Sequence, residues 1–344
     1  MRKKVVYIFM LTVLVVGLIG CAKETKQSQP LSRTEIFMGT AVTIKIYDNQ
    51  DEKIMDKVFK RVKEMEDLVS INKDGTELDR LNENAGIKPI NVSDFTLEII
   101  EKGLEYSRLS NGGYDITIGP LVKLWSIGLP EAKVPTEQEI KETIKYVDYS
   151  KVKINKSKNE IFLAEKGMII DLGSIAKGYA ADEIAKLLKD EGVKKAIIDF
   201  GGNIYALGSK EKDKKWKVGI QNPFDERGNI VGSIKIEDKS LVTTGVYERF
   251  IKEDETTYHH ILNPKTGYPF ETNIQGVSII ADKSIDADAL STLIFTEGLE
   301  NGLKLIESLD GIDAIFITDK KEVFITDGIK NNFELTNSDF KLAN

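Results

Sequence analysis

The second half of the chain is dominated by short β-type segments. From Lys151 onward, segments rich in β-branched and aromatic residues follow one another: KVKINKSKNEIFL, AIIDFGGNIYALG, KWKVGIQNP, VGSIKIED and GVSIIAD. Helical patterns interrupt them only at Ile175 to Lys189 and from about Asp286 to Leu309. Strands that cluster with few helices between them favour an α+β fold over a doubly wound parallel sheet. With 344 residues, the chain can form one large domain or two intimately packed α/β subdomains.

The first half combines one strand pattern with two helical patterns. The segment EIFMGTAVTIKIYD alternates apolar and polar residues, and Gly39-Thr40 interrupts it where a bend is expected. Apolar residues from Ile54 to Val69 then recur at spacings of three and four, which predicts a long amphipathic helix. A second helix is predicted after the capping pair Ser93-Asp94.

The N-terminus predicts export and lipid anchoring. Three basic residues precede an apolar run from Val5 to Ile19, and the sequence Leu18-Ile19-Gly20-Cys21 resembles a lipobox. We therefore expect residues 1–20 to be a cleaved lipoprotein signal peptide, Cys21 to be lipidated, and residues 21–34 to form a tether. Cys21 is the only cysteine, so it has no disulfide partner. The alternative is a plain signal peptide, or an N-terminal anchor helix, with a chance cysteine.

This interpretation places the protein on the extracytoplasmic face of the cell membrane. The formal charge is −7, and cleavage after residue 20 would make it −10 because Arg2, Lys3 and Lys4 are lost. A basic nucleic-acid-binding surface is therefore not expected.

The segment IDADALSTLIF carries a pair of oxygen ligands. On a helix, Asp288 and Thr292 stand four residues apart and project from one face, with Asp286 just ahead of the first turn. A carboxylate and a hydroxyl on one face form half of a site for a hard cation such as Mg²⁺. The alternative is an Asp N-cap on a core helix.

The segment MIIDLGSIAKGYAADEIAKLL predicts a strand that ends at Asp171, a Gly173-Ser174 turn, and a helix with Lys177 in its first turn. A lysine there opposes the helix dipole, which is easier to explain if an anionic ligand binds at the helix N-terminus. The glycine spacing does not match a P-loop. The alternative is a solvated surface lysine.

The two histidines of the chain, His259 and His260, are adjacent. In an extended segment one ring faces inward and the other outward, and the inward ring is a candidate base or phosphate donor. Two histidines without a free thiol argue against a zinc site. The alternative is that one ring packs in the core and the other is solvated.

Seven ordered motifs together carry a family resemblance. They are MGT (38–40), GGYDITIGPL (112–121), DLGSIAKGYAAD (171–182), FGGN (200–203), TTGVYERF (243–250), HHILNPKTGYP (259–269) and DADALST (286–292). With them, the chain resembles the FAD:protein FMN transferases, the ApbE family of lipoproteins, from about Glu35 to Ile325. The resemblance implies a T-fold-like α+β domain over residues 35–330, followed by a C-terminal tail at 331–344.

The activity that the resemblance implies is Mg²⁺-dependent transfer of the FMN half of FAD to a Thr or Ser hydroxyl. The acceptor would be an exported protein with a flavinylation motif, such as a subunit of a redox complex, and AMP would be released. Two alternatives stay open: an extracellular FAD pyrophosphatase that yields FMN and AMP, and a non-catalytic flavin-binding lipoprotein.

The resemblance also implies roles for particular residues. The Mg²⁺ ligands would be Asp288, Thr292 and the backbone carbonyl of Ser174, and the catalytic residues His260 and Asp288. The implied FAD contacts are Met38, Gly113, Tyr114, Asp115, Asp171, Lys177 and Thr244. The chain departs from the commoner family pattern at Ser174, Tyr114, Thr244 and Asn263, and only Asn263 changes a charge.

Overall fold

The computed structural model describes residues 29–343, and its largest element is a nine-stranded sheet. In spatial order its strands are β1 (Leu31–Phe37), β2 (Thr40–Ile46), β6 (Ala196–Phe200), β7 (Asn203–Leu207), β10 (Lys239–Gly245), β13 (Ile274–Ala281), β14 (Asp313–Thr318), β15 (Glu322–Ile325) and β17 (Lys341–Leu342). Neighbours are antiparallel except β15 and β17, which are parallel. The predicted α+β class is confirmed, because antiparallel neighbours need no crossover helix.

Three smaller sheets complete the set of strands. Their strands are β3 (Ile90–Asn91), β4 (Val152–Asn155) and β5 (Glu160–Leu163); β8 (Trp216–Gln221), β9 (Ile230–Ile236) and β16 (Phe333–Leu335); and β11 (Phe250–Glu253) and β12 (Thr256–His259). The segment KVKINKSKNEIFL, which the sequence predicts to be β structure, contains β4 and β5, and these two strands pair antiparallel.

Seven α-helices occur in the described residues. They are α1 (Glu52–Val69), α2 (Glu77–Glu83), α3 (Asp94–Leu109), α4 (Gly119–Trp125), α5 (Glu137–Thr143), α6 (Ala176–Asp190) and α7 (Ser284–Glu307). The helices predicted from periodicity correspond to α1, α3, α6 and α7. Helix α7 is interrupted at Gly298, whose φ of 76° is not helical. No helix of the described part is long and apolar enough to span a bilayer.

The two faces of the large sheet are covered differently. One face packs against α1, α6 and α7 in the main core, through residues that include Ile44, Ile198, Val277, Val62, Ile184 and Leu293. The other face packs against the sheet of β8, β9 and β16, through residues that include Leu241, Ile315, Ile317, Trp216, Val218 and Ile234. Both layers shield the sheet from water, and residues from Leu31 onward form one compact unit.

The sheets extend beyond both domain boundaries expected from the sequence. Strand β1 begins at Leu31, inside the predicted tether, because Leu31 already pairs with Ile46. At the other end, β16 pairs with β9, β17 pairs with β15, and Phe340 is buried, all within the predicted C-terminal tail. The predicted signal peptide and Cys21 lie outside the described residues.

Candidate active site

Strand register brings three of the glycine-containing motifs to one end of the large sheet. The β1–β2 turn at Met38-Gly39, the β6–β7 turn at Gly201-Gly202 and the end of β10 at Gly245 lie there, because Val42 pairs with Phe200 and Val242 with Asn203. Gly201 packs so closely on Thr40 that a Cβ atom on Gly201 would lie 1.8 Å from the Thr40 Oγ1. The motifs MGT, FGGN and TTG are therefore neighbours in space.

Helix α7 crosses the sheet toward that same end. Its first residue, Ser284, hydrogen-bonds Ser240 at the start of β10, with 2.8 Å between the two Oγ atoms. Two turns further on, the Ser291 hydroxyl bonds that of Thr244 near the end of β10, at 2.7 Å. The helix thus presents Asp288 and Thr292 beside the glycine turns, and the predicted FAD contact Thr244 helps to hold it there.

Gly178 marks the crossing of α6 and α7. A Cβ atom on Gly178 would lie 2.3 Å from the Ser284 carbonyl oxygen and 2.6 Å from the Asp288 Cβ, so a side chain cannot be accommodated without movement. The Gly178 N–H donates to Oδ2 of Asp288 at 2.8 Å. The N-terminus of α6 and the carboxylate of α7 therefore meet directly.

The donor set at this crossing fits a hard cation. The Gly178 N–H donates to Asp288 and not to the carbonyl four residues earlier, that of Ser174. The Ser174 carbonyl therefore receives no hydrogen bond from the described residues. The Thr292 hydroxyl likewise forms no hydrogen bond with that part of the chain, although the neighbouring Ser291 and Thr296 both do. One carboxylate, one free hydroxyl and one free carbonyl are a ligand set that Mg²⁺ accepts together with water or phosphate oxygens. Between residues 29 and 343, no group of three His, Cys, Asp or Glu side chains forms an alternative metal cluster.

Burial destabilises the ionised form of the Asp288 carboxyl group. The side chain is only 4% exposed, and burial raises the pKa of the carboxyl above its usual value. The nearby Lys177 ammonium, the Gly178 N–H and the Asn203 side chain act in the opposite direction. A buried carboxylate with no directly paired cation is stabilised by a bound metal ion.

Positive charge gathers at the opening of the site. The Lys177 Nζ donates to the Gly173 carbonyl at 3.0 Å, so the ammonium stays beside the α6 N-terminus. Burial raises the pKa of Asp171, while the charges of Lys177, Arg249 and Lys123 lower it. The three cations around Asp171 bring positive charge to the α6 N-terminus, which suits an anionic ligand there. Of these cations, only Lys177 was predicted from the sequence.

The GGYD segment lies against the same corner. Tyr114 is buried, and its hydroxyl accepts a hydrogen bond from Ser174 Oγ at 2.9 Å. Gly113, next to it, faces the side chain of Glu297. The Asp115 carboxylate accepts bonds from the Thr117 N–H and hydroxyl and from the Tyr149 N–H, at 2.8, 2.7 and 3.1 Å. Asp115 therefore orders its own loop, and its role in binding FAD stays a prediction.

The β1–β2 turn contributes Met38, whose backbone has a φ of 51°. The Met38 N–H donates to Glu66 Oε1 at 2.5 Å, which ties the turn to α1. The Arg249 guanidinium reaches the Gly39 carbonyl at 3.5 Å, so the turn also contacts the TTGVYERF segment. Met38 is thus held in a left-handed conformation by contacts on both sides.

Burial alone does not show which of the two histidines has a ring nitrogen free to act as a base. His259 is the inward ring, 7% exposed, and both of its nitrogens are used: Nε2 donates to the Phe270 carbonyl at 2.9 Å, and Nδ1 accepts from the Ile261 N–H at 3.2 Å. The expectation that the inward ring is the candidate base is therefore wrong. That ring packs edge-on against Phe295 and has no free nitrogen.

His260 keeps one nitrogen free. Its Nδ1–H donates to the Arg249 carbonyl at 3.2 Å, and the described residues form no hydrogen bond with Nε2. Burial, together with the charges of Arg249 and Lys177, lowers the pKa of His260 to about 4. At neutral pH the ring is uncharged, with an unshared electron pair on Nε2 beside the cationic opening.

Comparison with known proteins identifies the family. The model of the ApbE family matches residues 38–316. The chain belongs to the ApbE family. Its TTGVYERF, HHILNPKTGYP and DADALST segments lie within the matched region and supply Arg249, His260 and Asp288 of the candidate site.

The alignments of this chain with two curated ApbE relatives span almost the full length of each relative. The FAD:protein FMN transferase of Klebsiella pneumoniae is 33% identical over 311 residues, covering 90% of this chain and 96% of the relative. The FAD:protein FMN transferase of Treponema pallidum is 34% identical over 361 residues, covering 99% of each.

Solved ApbE structures share the fold. The flavin transferase ApbE from Vibrio cholerae superposes with a TM-score of 0.76 at 26% identity, covering 91% of this chain and 98% of that protein. The ApbE protein from Thermotoga maritima gives the same TM-score and identity, covering 90% and 98%. The architecture predicted from the motifs is thereby confirmed.

Proposed function

We propose that this chain, a transferase of the ApbE family, moves the FMN half of FAD to a Thr or Ser hydroxyl of an exported acceptor protein. The reaction breaks the bond between the FMN phosphorus and the bridging pyrophosphate oxygen, and forms a phosphoester bond from that phosphorus to the acceptor oxygen. AMP leaves with the bridging oxygen, and the hydroxyl proton passes to the protein or solvent. The observation that carries the proposal is the convergence of free oxygen ligands at the α6–α7 crossing with the three cations Lys177, Arg249 and Lys123, which surround Asp171 beside the N-terminus of α6.

Asp288, Thr292 and the Ser174 carbonyl would hold Mg²⁺. A divalent ion bound there would neutralise charge on the pyrophosphate and on the departing AMP. Lys177 would bind phosphate oxygens through its ammonium and its backbone N–H, which forms no hydrogen bond with the described residues. Since phosphoryl transfer depends mainly on alignment and charge neutralisation, these contacts account for most of what the protein must do.

The tautomer of His260 favours one of its two possible roles. Because Nδ1 holds its proton against the Arg249 carbonyl, Nε2 accepts hydrogen bonds and does not donate them. An acceptor at this place suits the incoming hydroxyl, whereas a phosphate oxygen would need a donor. His260 is therefore proposed as the group that orients the acceptor hydroxyl and accepts its proton.

The test is an incubation of the purified chain with FAD, Mg²⁺ and an exported redox subunit that carries a flavinylation motif. We expect the acceptor to gain the mass of FMN less one water at a Thr or Ser, with one AMP released per modified acceptor. Free FMN beside an unmodified acceptor would contradict transfer and support the FAD pyrophosphatase. Binding of FAD without either product would support a non-catalytic flavin-binding lipoprotein.

Lipid anchoring at Cys21 is part of the proposed function, because the acceptor is expected outside the cytoplasm. The support is the lipobox-like LIGC sequence and the absence of any other cysteine. We expect wild-type chain in the membrane fraction and Cys21→Ser chain mainly in the soluble extracytoplasmic fraction, or retained as uncleaved precursor. Mature wild-type chain without lipid by mass spectrometry would refute the anchor.

A further inference from the structure

Asn203 is the first residue of β7, and a chain of buried hydroxyl groups holds it. Its side chain is 2% exposed, and its Oδ1 accepts a hydrogen bond from Ser284 Oγ at 2.7 Å. The Ser284 hydroxyl in turn accepts from Ser240 Oγ at 2.8 Å. Ser240 and Ser284 are both fully buried. The side-chain carbonyl of Asn203 is therefore fixed toward the start of α7.

The amide nitrogen of Asn203 points away from these hydroxyl groups. Among the described residues it forms no hydrogen bond of ordinary geometry, although it is buried. Ser284, which donates to the Asn203 carbonyl, and Asp288 stand four residues apart on α7 and share one face of that helix, so the Asp288 carboxylate lies beside the Asn203 side chain. The opposite amide orientation would turn the Asn203 carbonyl oxygen toward an ionised carboxylate, which is electrostatically unfavourable.

We propose that Asn203 is a positioning residue for the divalent-cation site, donating from its amide nitrogen to the Asp288 carboxylate. This inference rests on the proposed function, since it assumes that Asp288 binds a cation. A carboxylate offers about four lone-pair directions. Gly178 takes one on Oδ2 and Asn203 takes a second, so two remain for the cation. Two fixed donors prevent the carboxylate from rotating, whereas Gly178 alone does not.

Partners outside the immediate ligand set typically change metal affinity by about 10 to 100-fold when they are removed. We expect Asn203→Leu, similar in size but unable to donate, to weaken Mn²⁺ binding by about tenfold. Ser284→Ala frees the Asn203 amide to rotate and should weaken binding less, in the same direction. The double variant should lose no more than Asn203→Leu alone, because both changes remove one interaction.

The measurement is Mn²⁺ titration of the full chain in detergent, with free Mn²⁺ followed by electron paramagnetic resonance. Ser233→Ala is the matched control, because Ser233 Oγ is also buried without a partner in the described residues but lies on β9, in another sheet. We expect wild-type affinity from this control. A second readout is FAD turnover against Mg²⁺ concentration, where Asn203→Leu should raise the Mg²⁺ concentration for half-maximal rate and leave the rate at saturating Mg²⁺ nearly unchanged.

The outcomes separate this inference from the proposed function. If the wild-type chain binds Mn²⁺, Asp288→Asn does not, and Asn203→Leu and Ser284→Ala both bind with wild-type affinity, Asn203 has no positioning role. A lower melting temperature in these variants with unchanged Mn²⁺ affinity would likewise reduce Asn203 to a structural residue. If the wild-type chain itself binds no Mn²⁺, the proposed cation site fails, and this inference fails with it.

Discussion

Replacement of Asp288 by asparagine is expected to lower Mg²⁺-dependent FMN transfer at least about a hundredfold, since a catalytic metal supplies several kcal/mol and each 1.4 kcal/mol is tenfold in rate. The introduced amide would keep an oxygen to accept from the Gly178 N–H, so the α6–α7 crossing should survive. It would lack the charge that attracts the cation. Transfer rates at several Mg²⁺ concentrations, with the melting temperature of each variant, provide the measurement.

Asp286→Asn is the matched control for Asp288→Asn. Asp286 lies on the same helix, but its carboxylate accepts from the Tyr106 hydroxyl at 2.6 Å and pairs with Lys102 at 3.1 Å, away from the crossing. We expect this variant to lose little activity. Undiminished transfer in Asp288→Asn, or equal losses in both variants, would refute the assignment of Asp288 as a metal ligand.

Replacement of His260 by alanine is expected to lower kcat for transfer by roughly a hundredfold or more, the usual contribution of a general base. FAD binding should change much less, because Nε2 is proposed to face the incoming hydroxyl and not the pyrophosphate. Single-turnover transfer and FAD titration by fluorescence measure the two effects separately. A loss confined to FAD affinity would make His260 a binding residue.

The lowered pKa of His260 determines the pH dependence of this step. A base that is protonated only below about pH 4 stays active through the mildly acidic range, so the His260-dependent fall in kcat/KM should lie near pH 4 and not near 6.5. His259→Gln provides the contrast. It removes a packed ring from Phe295 and should lower the melting temperature more than kcat.

Much of the fold could be predicted because local periodicity and tertiary packing agree. The apolar spacing from Ile54 to Val69 is that of α1, and the segments from Lys151 onward do form strands. Strand order could not be predicted, because β17 joins β15 and β16 joins β9 through contacts that are distant in sequence. The same long-range pairing placed Leu31 and Phe333–Leu335 in sheets where a tether and a tail were expected.

The candidate site could be predicted where a single short motif contains two of the proposed metal ligands. Asp288 and Thr292 share a helix face whatever the tertiary structure, and Lys177 follows its turn directly. The choice between the histidines was not predictable from alternation, because the more buried residue, His259, has both ring nitrogens hydrogen-bonded, whereas the partly buried residue, His260, keeps one nitrogen free.

Arg249 and Asn203 were missed for a related reason. Contacts with Gly39 and Gly128 position Arg249. A chain of hydroxyl groups that includes Ser284 positions Asn203. Both lie inside motifs that the sequence interpretation singled out, TTGVYERF and FGGN. The local sequence pattern could not identify the partners of Arg249 and Asn203, because these partners belong to other parts of the fold.

The most direct measurement is anomalous diffraction from crystals of the chain grown with FAD and Mn²⁺. The account predicts one strong anomalous peak bounded by the Asp288 carboxylate, the Thr292 hydroxyl and the Ser174 carbonyl, with the FAD pyrophosphate on its open side. FAD bound with its pyrophosphate away from the α6–α7 crossing, or Mn²⁺ found only at other carboxylates, would contradict it.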